Sequence, residues 1–465
     1  MKKLMTKFTG CVSCRAAGFR LSARKTIVPC KKCIGRGLVL RGELLPRVYR
    51  PKIENLSVGI IGGGIGGMEL ALALQQRNIK CTIFEKDPSF HSRCQGYGLT
   101  LQQGTGVLIR MGIDNVTQYG SKTIKHTSFL PDGTILGSYG GEDIEDKKQS
   151  IGANEAGGEP STKKQKKGPT PRMKPKRCNI MLPRQKLREI LYDELQSGTV
   201  MWGQKFVKYD MVPEEGVQKV NVSLGGSDGT VTEAGPFDVL VGADGIWSKV
   251  RAQMLAPSAP PRYLGVMVIL GRAKTNHPLG RCIFQTMDGE TRIYAMPFTS
   301  HDGVMMWQLS FPMALEEARA LSDQGHQALL NEARRRCSGW HEPIGQILAD
   351  SLPEDTTGYP TFDRAPPCAE NGGAVSGPVA LIGDSVHPMS PFKGQGANQA
   401  LLDGHRLATA LGKHDSIAEA LGEYESDMIK RVRAKVEGSA KAADVLHSKE
   451  ALVQGNVTRA TAHRR

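Results

Sequence analysis

An α/β fold is predicted, with a Rossmann-like domain, an antiparallel sheet inserted into it, and a small four-cysteine module at the N-terminus. Three observations predict it. The apolar run Val58 to Ile61 is followed at once by GGGIGG and then by the helical stretch Met68 to Leu74, the strand, glycine and helix order of a βαβ unit. Between Arg262 and Pro312, the apolar stretches YLGVMVILG, RCIFQTM, TRIYAMPF and GVMMWQLSF read as antiparallel strands. Cys11, Cys14, Cys30 and Cys33 fall as C-x2-C-x15-C-x2-C, a spacing that suits a tetrahedral four-thiolate zinc site.

Taken in order, residues 1–42 form this zinc-knuckle-like module. Its second cysteine pair continues as CKKCIGRG, a C-x-x-C-x-G-x-G string that resembles the zinc-binding repeat of DnaJ-type chaperones; the first pair keeps only Gly18. The segment has too little apolar sequence for a core of its own, so metal would have to hold it together. A competing reading is an organelle-targeting presequence, because the stretch is basic and free of acid; a redox-active C-x-x-C is a third. Residues 43–55, with Pro46 and Pro51, read as a linker.

The first part of the Rossmann-like domain spans 56–140. Gly62 allows the tight turn, Gly64 the close approach of a pyrophosphate, and Gly67 the close packing of helix on strand, with the helix N-terminus facing the phosphate charge. The next strand, KCTIFE, ends in Glu85, 18 residues beyond Gly67, where a carboxylate can accept a ribose 2′-OH. That much suits NAD and FAD equally. Residues 141–177, rich in Gly, Lys, Glu, Ser and Pro without hydrophobic period, are expected to be a disordered basic insertion. Residues 178–261 return to the domain, with a helix over Leu182 to Leu195 and short strands near Lys205 to Tyr209, Val217 to Leu224 and Val239 to Val241.

The substrate-binding sheet is placed at 262–360, with Asp288 and Gly289 as a hairpin turn. Met267, Ile269, Phe284, Tyr294, Met296, Trp307 and Leu309 alternate between core and pocket, though period two alone does not say which face is which. Leu315 to Arg336 reads as one helix. Residues 361–436 close the Rossmann-like domain, and 437–465 are a C-terminal helix and tail.

Two further strings fix the cofactor by resemblance. GADGIWSKVR at Gly242 to Arg251 and LIGDSVHPMSPFKGQGANQALLDG at Leu381 to Gly404 resemble the DG and GD motifs of single-component FAD-dependent aromatic-ring monooxygenases, the salicylate hydroxylase, zeaxanthin epoxidase and tetracycline-degrading group. MLPRQKLREIL, CSGWHEPI and TFDRAPP match as well, so the resemblance covers roughly Leu56 to Val436. It implies an FAD/NAD(P)-binding Rossmann-like domain in which Asp384, after Gly383, hydrogen-bonds a ribityl hydroxyl. The turn Pro391, Gly394, Gln395 and Gly396 would bring backbone to the isoalloxazine, and Ala397 and Asn398 would open a helix aimed at its O2 edge. Asp244 and Gly245 would support flavin and nicotinamide, and Arg184 would reach the FAD. Arg93, beside Gly96 and Gly98, is a further FAD candidate. His387 reads as a structural hydrogen-bonding residue. No side chain is assigned catalysis beyond the flavin and the turn at Pro391 to Gly396, because the cofactor carries the difficult step.

The implied activity is hydroxylation or epoxidation of a small aromatic or polycyclic molecule with NAD(P)H and O2, through a C4a-hydroperoxyflavin. The alternatives are an oxidase or reductase of the same fold, and a flavin redox sensor or scaffold whose zinc module recruits a protein partner. The net charge of +15 does not mark a nucleic-acid binder. Residues 1–42 hold 11 Lys or Arg and residues 160–177 hold eight, with no acid in either stretch, so everything else sums to −4. No apolar run approaches the roughly 20 residues of a membrane span, and the six other cysteines are scattered. An intracellular protein, cytoplasmic or targeted by its basic N-terminus, is expected.

Overall fold

One parallel sheet frames the molecule. In the computed structural model, β12 (Val200–Trp202), β6 (Lys80–Glu85), β5 (Ser57–Ile61), β16 (Val239–Gly242) and β22 (Val379–Leu381) lie side by side in that order, each parallel to its neighbours. The structure describes residues 51–92, 97–113, 116–122, 125–140, 179–214, 216–226, 228–255, 259–299, 302–368 and 377–454, and four short strands before them. Of those, β1 (Phe8–Gly10) pairs antiparallel with β4 (Leu38–Leu40), and β2 (Phe19–Leu21) with β3 (Ile27–Pro29). The four module cysteines, Arg93 and the insertion at 141–177 lie outside the described residues.

Val58, Ile60, Leu240 and Val241 are fully buried, as a parallel sheet covered on both faces requires. Helix α1 (Ile65–Gln75) packs on α9 (Gly396–Lys413), which also meets α2 (Gln103–Arg110) and the 30-residue α10 (Ile417–Leu446). The α1 and α9 backbones approach closely at Gly404, where a Cβ would lie 2.9 Å from the Leu70 nitrogen. Smaller units surround this frame. Strands β7 (Gly98–Leu101), β11 (Ile180–Pro183) and β8 (Ser121–Lys122) form one antiparallel sheet, next to α3 (Val116–Tyr119) and α4 (Arg184–Asp193). Strands β13 (Lys205–Glu214), β14 (Val217–Gly225) and β15 (Val231–Phe237) form another, and α5 (Lys249–Met254) packs on β13. The expected helix from Leu182 therefore begins at Arg184, after a strand that ends in Pro183 with extended geometry (ψ 135°).

The largest sheet has seven strands in the order β10 (Ile135–Gly140), β9 (Lys125–Phe129), β18 (Ile283–Met287), β19 (Arg292–Pro297), β20 (Val304–Pro312), β17 (Arg262–Lys274) and β21 (Thr357–Asp363). It differs from the expected antiparallel insert in two ways. Strands β9 and β10 come from the segment expected to belong wholly to the Rossmann-like domain, and β9 runs parallel to β18. The expected helix from Leu315 is broken into α6 (Leu315–Asp323) and α7 (His326–Arg336), because Gly325 takes φ +85° between them.

Alternation divides this sheet cleanly. Met267, Ile269, Phe284, Ile293, Ala295, Met305, Trp307 and Leu309 pack under α6, α7 and α8 (Ile344–Ala349). Gly271 leaves room for the indole, since a Cβ there would stand 2.2 Å from Trp307, whose Nε1 donates to Ser351 Oγ at 2.8 Å. Of the seven side chains left between core and pocket, five therefore belong to the helix-covered core, and Tyr294 and Met296 to a second buried cluster on the opposite face. Tyr294 and Met296 face the other way, together with Leu270, Met306 and Gln308, and line a cleft.

Candidate functional site

That cleft, about 660 Å³ in volume, runs from the glycine loop after β5 to the open face of the seven-stranded sheet. At the loop, Gly62 has φ +109° and a Cβ on it would sit 2.4 Å from the Ala243 carbonyl oxygen, while one on Gly67 would sit 2.0 Å from the Gly62 carbonyl oxygen. Both positions exclude any side chain. Gly64 differs: a Cβ there would meet nothing within 4 Å, because the residue faces the cleft at the N-terminus of α1. Glu85 is buried and accepts from the Gly63 amide at 2.6 Å and the Asp87 amide at 3.0 Å. It braces the loop, and each carboxylate oxygen retains a lone pair for a further donor.

Arg184 opens α4 and reaches the cleft, donating to the Tyr97 hydroxyl and lying 5.2 Å over the Tyr97 ring. Its Nε is buried with no hydrogen-bond partner. One helical turn on, Arg188 donates from Nε to the Gly63 carbonyl at 2.9 Å and stacks on Phe90 and Trp202. The sequence reading missed Arg188; its i+4 spacing from Arg184 was the available signal.

In the segment after β16, Asp244 Oδ2 accepts the Lys249 and Val250 amides at 2.8 and 3.3 Å, and Oδ1 is buried without a partner. Burial raises its carboxyl above the ordinary value, against hydrogen bonds from Ser248 and the backbone. Asp244 thus holds the start of α5 while Gly245, at φ +80°, and the exposed Trp247 line the cleft. Trp247 meets Phe362 edge-on at 5.3 Å.

After β22, Gly383 takes φ +62° and directs Asp384 into the cleft. Asp384 is itself exposed to the cleft, and the protein packed around it still raises its carboxyl above the ordinary value; Arg184 and His387 pull it down and Asp403 pushes it further up. The turn is fixed from behind. Asp403 Oδ2 accepts the Gly383 amide at 2.7 Å and meets His387 Nε2 at 2.6 Å, and Oδ1 accepts from Arg431 at 2.6 Å. Burial would raise Asp403, but His387 and Arg431 hold it below the usual carboxylate range. His387 is fully buried in this network, and Asp403 is a positioning residue that sequence reasoning did not single out.

Pro391, Gly394, Gln395, Gly396 and Ala397 line the cleft at the start of α9, with Gly394 left-handed at φ +58°. A Cβ on Gly396 would lie 3.7 Å from Asp384 Oδ1, so the two elements converge. Asn398 is not a lining residue. Its Oδ1 accepts the Gln102 and Gly104 amides at 2.7 and 2.9 Å, and its Nδ2 donates to the Thr100 and Gly394 carbonyls at 2.9 Å each. The side chain ties the turn to β7 and α2, leaving only backbone to face a ligand.

These walls can be compared with known proteins. A family model described as an FAD binding domain matches residues 55–439. The chain belongs to that family. This FAD-binding-domain protein is 28% identical over 389 residues to the aurachin C monooxygenase/isomerase of Stigmatella aurantiaca, covering 83% of this chain and 88% of that protein. It is 26% identical over 406 residues to the FAD-dependent urate hydroxylase of Klebsiella oxytoca, covering 84% and 90%. The solved structure of Klebsiella pneumoniae HpxO complexed with FAD and uric acid superposes with a TM-score of 0.68 at 21% identity, over 86% of this chain and 91% of that one. The flavoprotein is an FAD-dependent monooxygenase, an oxidoreductase.

The residues present fit FAD. Open space at Gly64 before a helix N-terminus, the unpartnered Arg184 Nε, the cleft-facing Asp384 and the side-chain-free turn at Gly394 and Gly396 all border one cavity. No group of acidic, histidine or cysteine side chains suited to a metal occurs among the described residues. No helix among them is long and apolar enough to cross a membrane.

Proposed function

We propose that this protein uses NAD(P)H and O2 to hydroxylate or epoxidise a small aromatic or polycyclic molecule seated against the open face of the seven-stranded sheet. The observation that carries the reading is the single cleft bordered both by the glycine loop and Asp384 and by Leu270, Tyr294, Met296, Met306 and Gln308. For hydroxylation the balance is one C–H bond, O2, NAD(P)H and a proton giving C–OH, water and NAD(P)+. FAD, when bound, supplies the two-electron reduction of dioxygen.

The chain's residues orient and enclose. Gly64 and the α1 N-terminus receive the pyrophosphate, with Gly62 and Gly67 shaping the loop. Glu85 accepts a ribose hydroxyl, Asp384 a ribityl hydroxyl, and Arg184 Nε donates to the cofactor. Pro391, Gly394, Gln395, Gly396 and Ala397 would border the ring, and the α9 N-terminus, tied in place by Asn398, would stabilise negative charge there. Gly383 and Gly245 give the backbone turns this needs, and Asp244 holds the second of them. Arg93 is proposed from resemblance alone.

The test is anaerobic reduction of the purified flavoprotein by NADPH or NADH, followed by isotopically labelled O2 with a panel of aromatic compounds. One labelled oxygen per product is expected. Reduction with label appearing only in water or peroxide for every compound would overturn the reading in favour of an oxidase.

For the N-terminus we propose a zinc site at Cys11, Cys14, Cys30 and Cys33. Its support is the pairing of Gly10 with Leu38 and of Phe19 with Pro29: each C-x-x-C lies in sequence between the same two strand pairs. Elemental analysis should give one zinc per chain, lost on Cys30→Ser; a metal-free chain would overturn this.

A further inference from the structure

Gln308 lies at the centre of β20, with Tyr294 opposite it on β19 and Leu270 opposite it on β17. Opposite residues share a face, so these three project together into the cleft, which all of them line. Gln308 is 7% exposed, yet among the described residues its carboxamide meets no hydrogen-bond partner. The next row along the sheet is Met296 and Met306, also lining the cleft. The amide opens onto the cleft between a leucine, a tyrosine and two thioethers, so its donor and its acceptor are both turned to whatever the cleft holds. A ligand would complete it.

The chemistry of that ligand follows from the group. A carboxamide presents an acceptor oxygen and a donor NH2 side by side, the complement of an N–H beside a C=O in a cyclic lactam. Two arginines share the cleft face of β17, β19 and β20 without being lining residues: Arg272, opposite Met306 and paired with Asp355, and Arg292. Arg292 lies over the Tyr294 ring, 5.0 Å from its centroid, with Nε donating to Gln285 at 2.9 Å, and is not part of the lining. The lining cations Arg184 and Arg319 stand on other elements. Resting on the reading of the cleft as the substrate chamber, we infer that Gln308 is a specificity-determining residue that pairs with the lactam edge of a heteroaromatic substrate, beside the Tyr294 hydroxyl.

The holoenzyme tests this through the absorbance change of its bound flavin on titration with 2-quinolone, with quinoline and benzoate as comparators. Wild type should bind 2-quinolone about tenfold or more tighter than either comparator, because a site built to hydrogen-bond a ligand rejects analogues that lack the group. Gln308→Leu should bring the three within about threefold at unchanged flavin content. Gln308→Glu, nearly isosteric and lacking the donor when ionised, decides the matter if the leucine variant does not fold. Absence of the preference in wild type, its reversal toward benzoate, or its survival in the folded variants overturns the inference. Failure of the proposed function looks different: 2-quinolone is preferred through Gln308, but no label from O2 enters any product.

Discussion

Gly62 and Asp384 stand at opposite ends of the cofactor wall and fail in different ways when changed. At Gly62, the positive φ and the backbone oxygen 2.4 Å from any Cβ leave nothing flexible to yield. Gly62→Ala should destabilise by more than about 1 kcal/mol, read as a lower unfolding midpoint in denaturant. Asp384 carries little of the fold, because its carboxylate faces the cleft and its raised affinity for a proton reflects the surrounding walls. Asp384→Ala should keep the melting temperature within a few degrees while flavin content, read by absorbance, falls well below one per chain. Stoichiometric flavin with an unchanged spectrum would remove Asp384 from the site.

At the scale of elements, the start of α9 is positioned by one side chain. Asn398 makes four hydrogen bonds to β7, α2 and the preceding turn, each worth roughly 0.5–1.5 kcal/mol. Asn398→Ala should cost about 2–4 kcal/mol in a denaturant titration and weaken flavin retention with it. Asn398→Asp, which keeps the two acceptor bonds, should fall between. The glycine loop was legible in the sequence because its requirement is local, a residue without a side chain before a helix, and the Pro391 to Asn398 turn was legible through the motif it resembles. The ties that hold those loops were not. Arg188 reaches back to Gly63, and Asp403 reaches from the middle of α9 to Gly383, contacts that only the tertiary fold creates. The same holds for β9, whose parallel partner β18 lies more than 150 residues away. Gly325 was a visible break inside the predicted helix, and the reading ran across it.

For the whole molecule, α10 is the part that spans most. About 45 Å long at 1.5 Å per residue, it donates from Tyr424 to the Leu381 carbonyl, from Arg431 to Asp403, and accepts from Ser390 at the Ser439 carbonyl. Beyond its end, His447 bonds Ser310 on β20 at 2.8 Å, joining this helix to the seven-stranded sheet. Burial, with the charge of Arg292 on β19, lowers the His447 imidazole from 6.5 to about 4; the Ala443 carbonyl on its own helix opposes this, and the Phe392 ring packs against it. Between those values the unfolded chain binds the extra proton and the folded chain does not. The contribution is complete above about pH 6.5 and falls as pH is lowered toward 4, by up to about 3 kcal/mol. Melting temperature against pH should show this acid limb in wild type and a flatter one in His447→Gln.

The alternation of β19 and β20 has a consequence for how such a protein can change. Positions 293, 295, 305, 307 and 309 belong to the helix-covered core, while 294, 296, 306 and 308 look into the chamber. Heritable variation at the second set can redraw what the chamber admits while the first set keeps the sheet seated on its helices. Appetite for new molecules and resistance to heat are thus written on interleaved letters of the same two strands, joined only where the chamber's own wall of Tyr294, Met296 and Met306 is also packed.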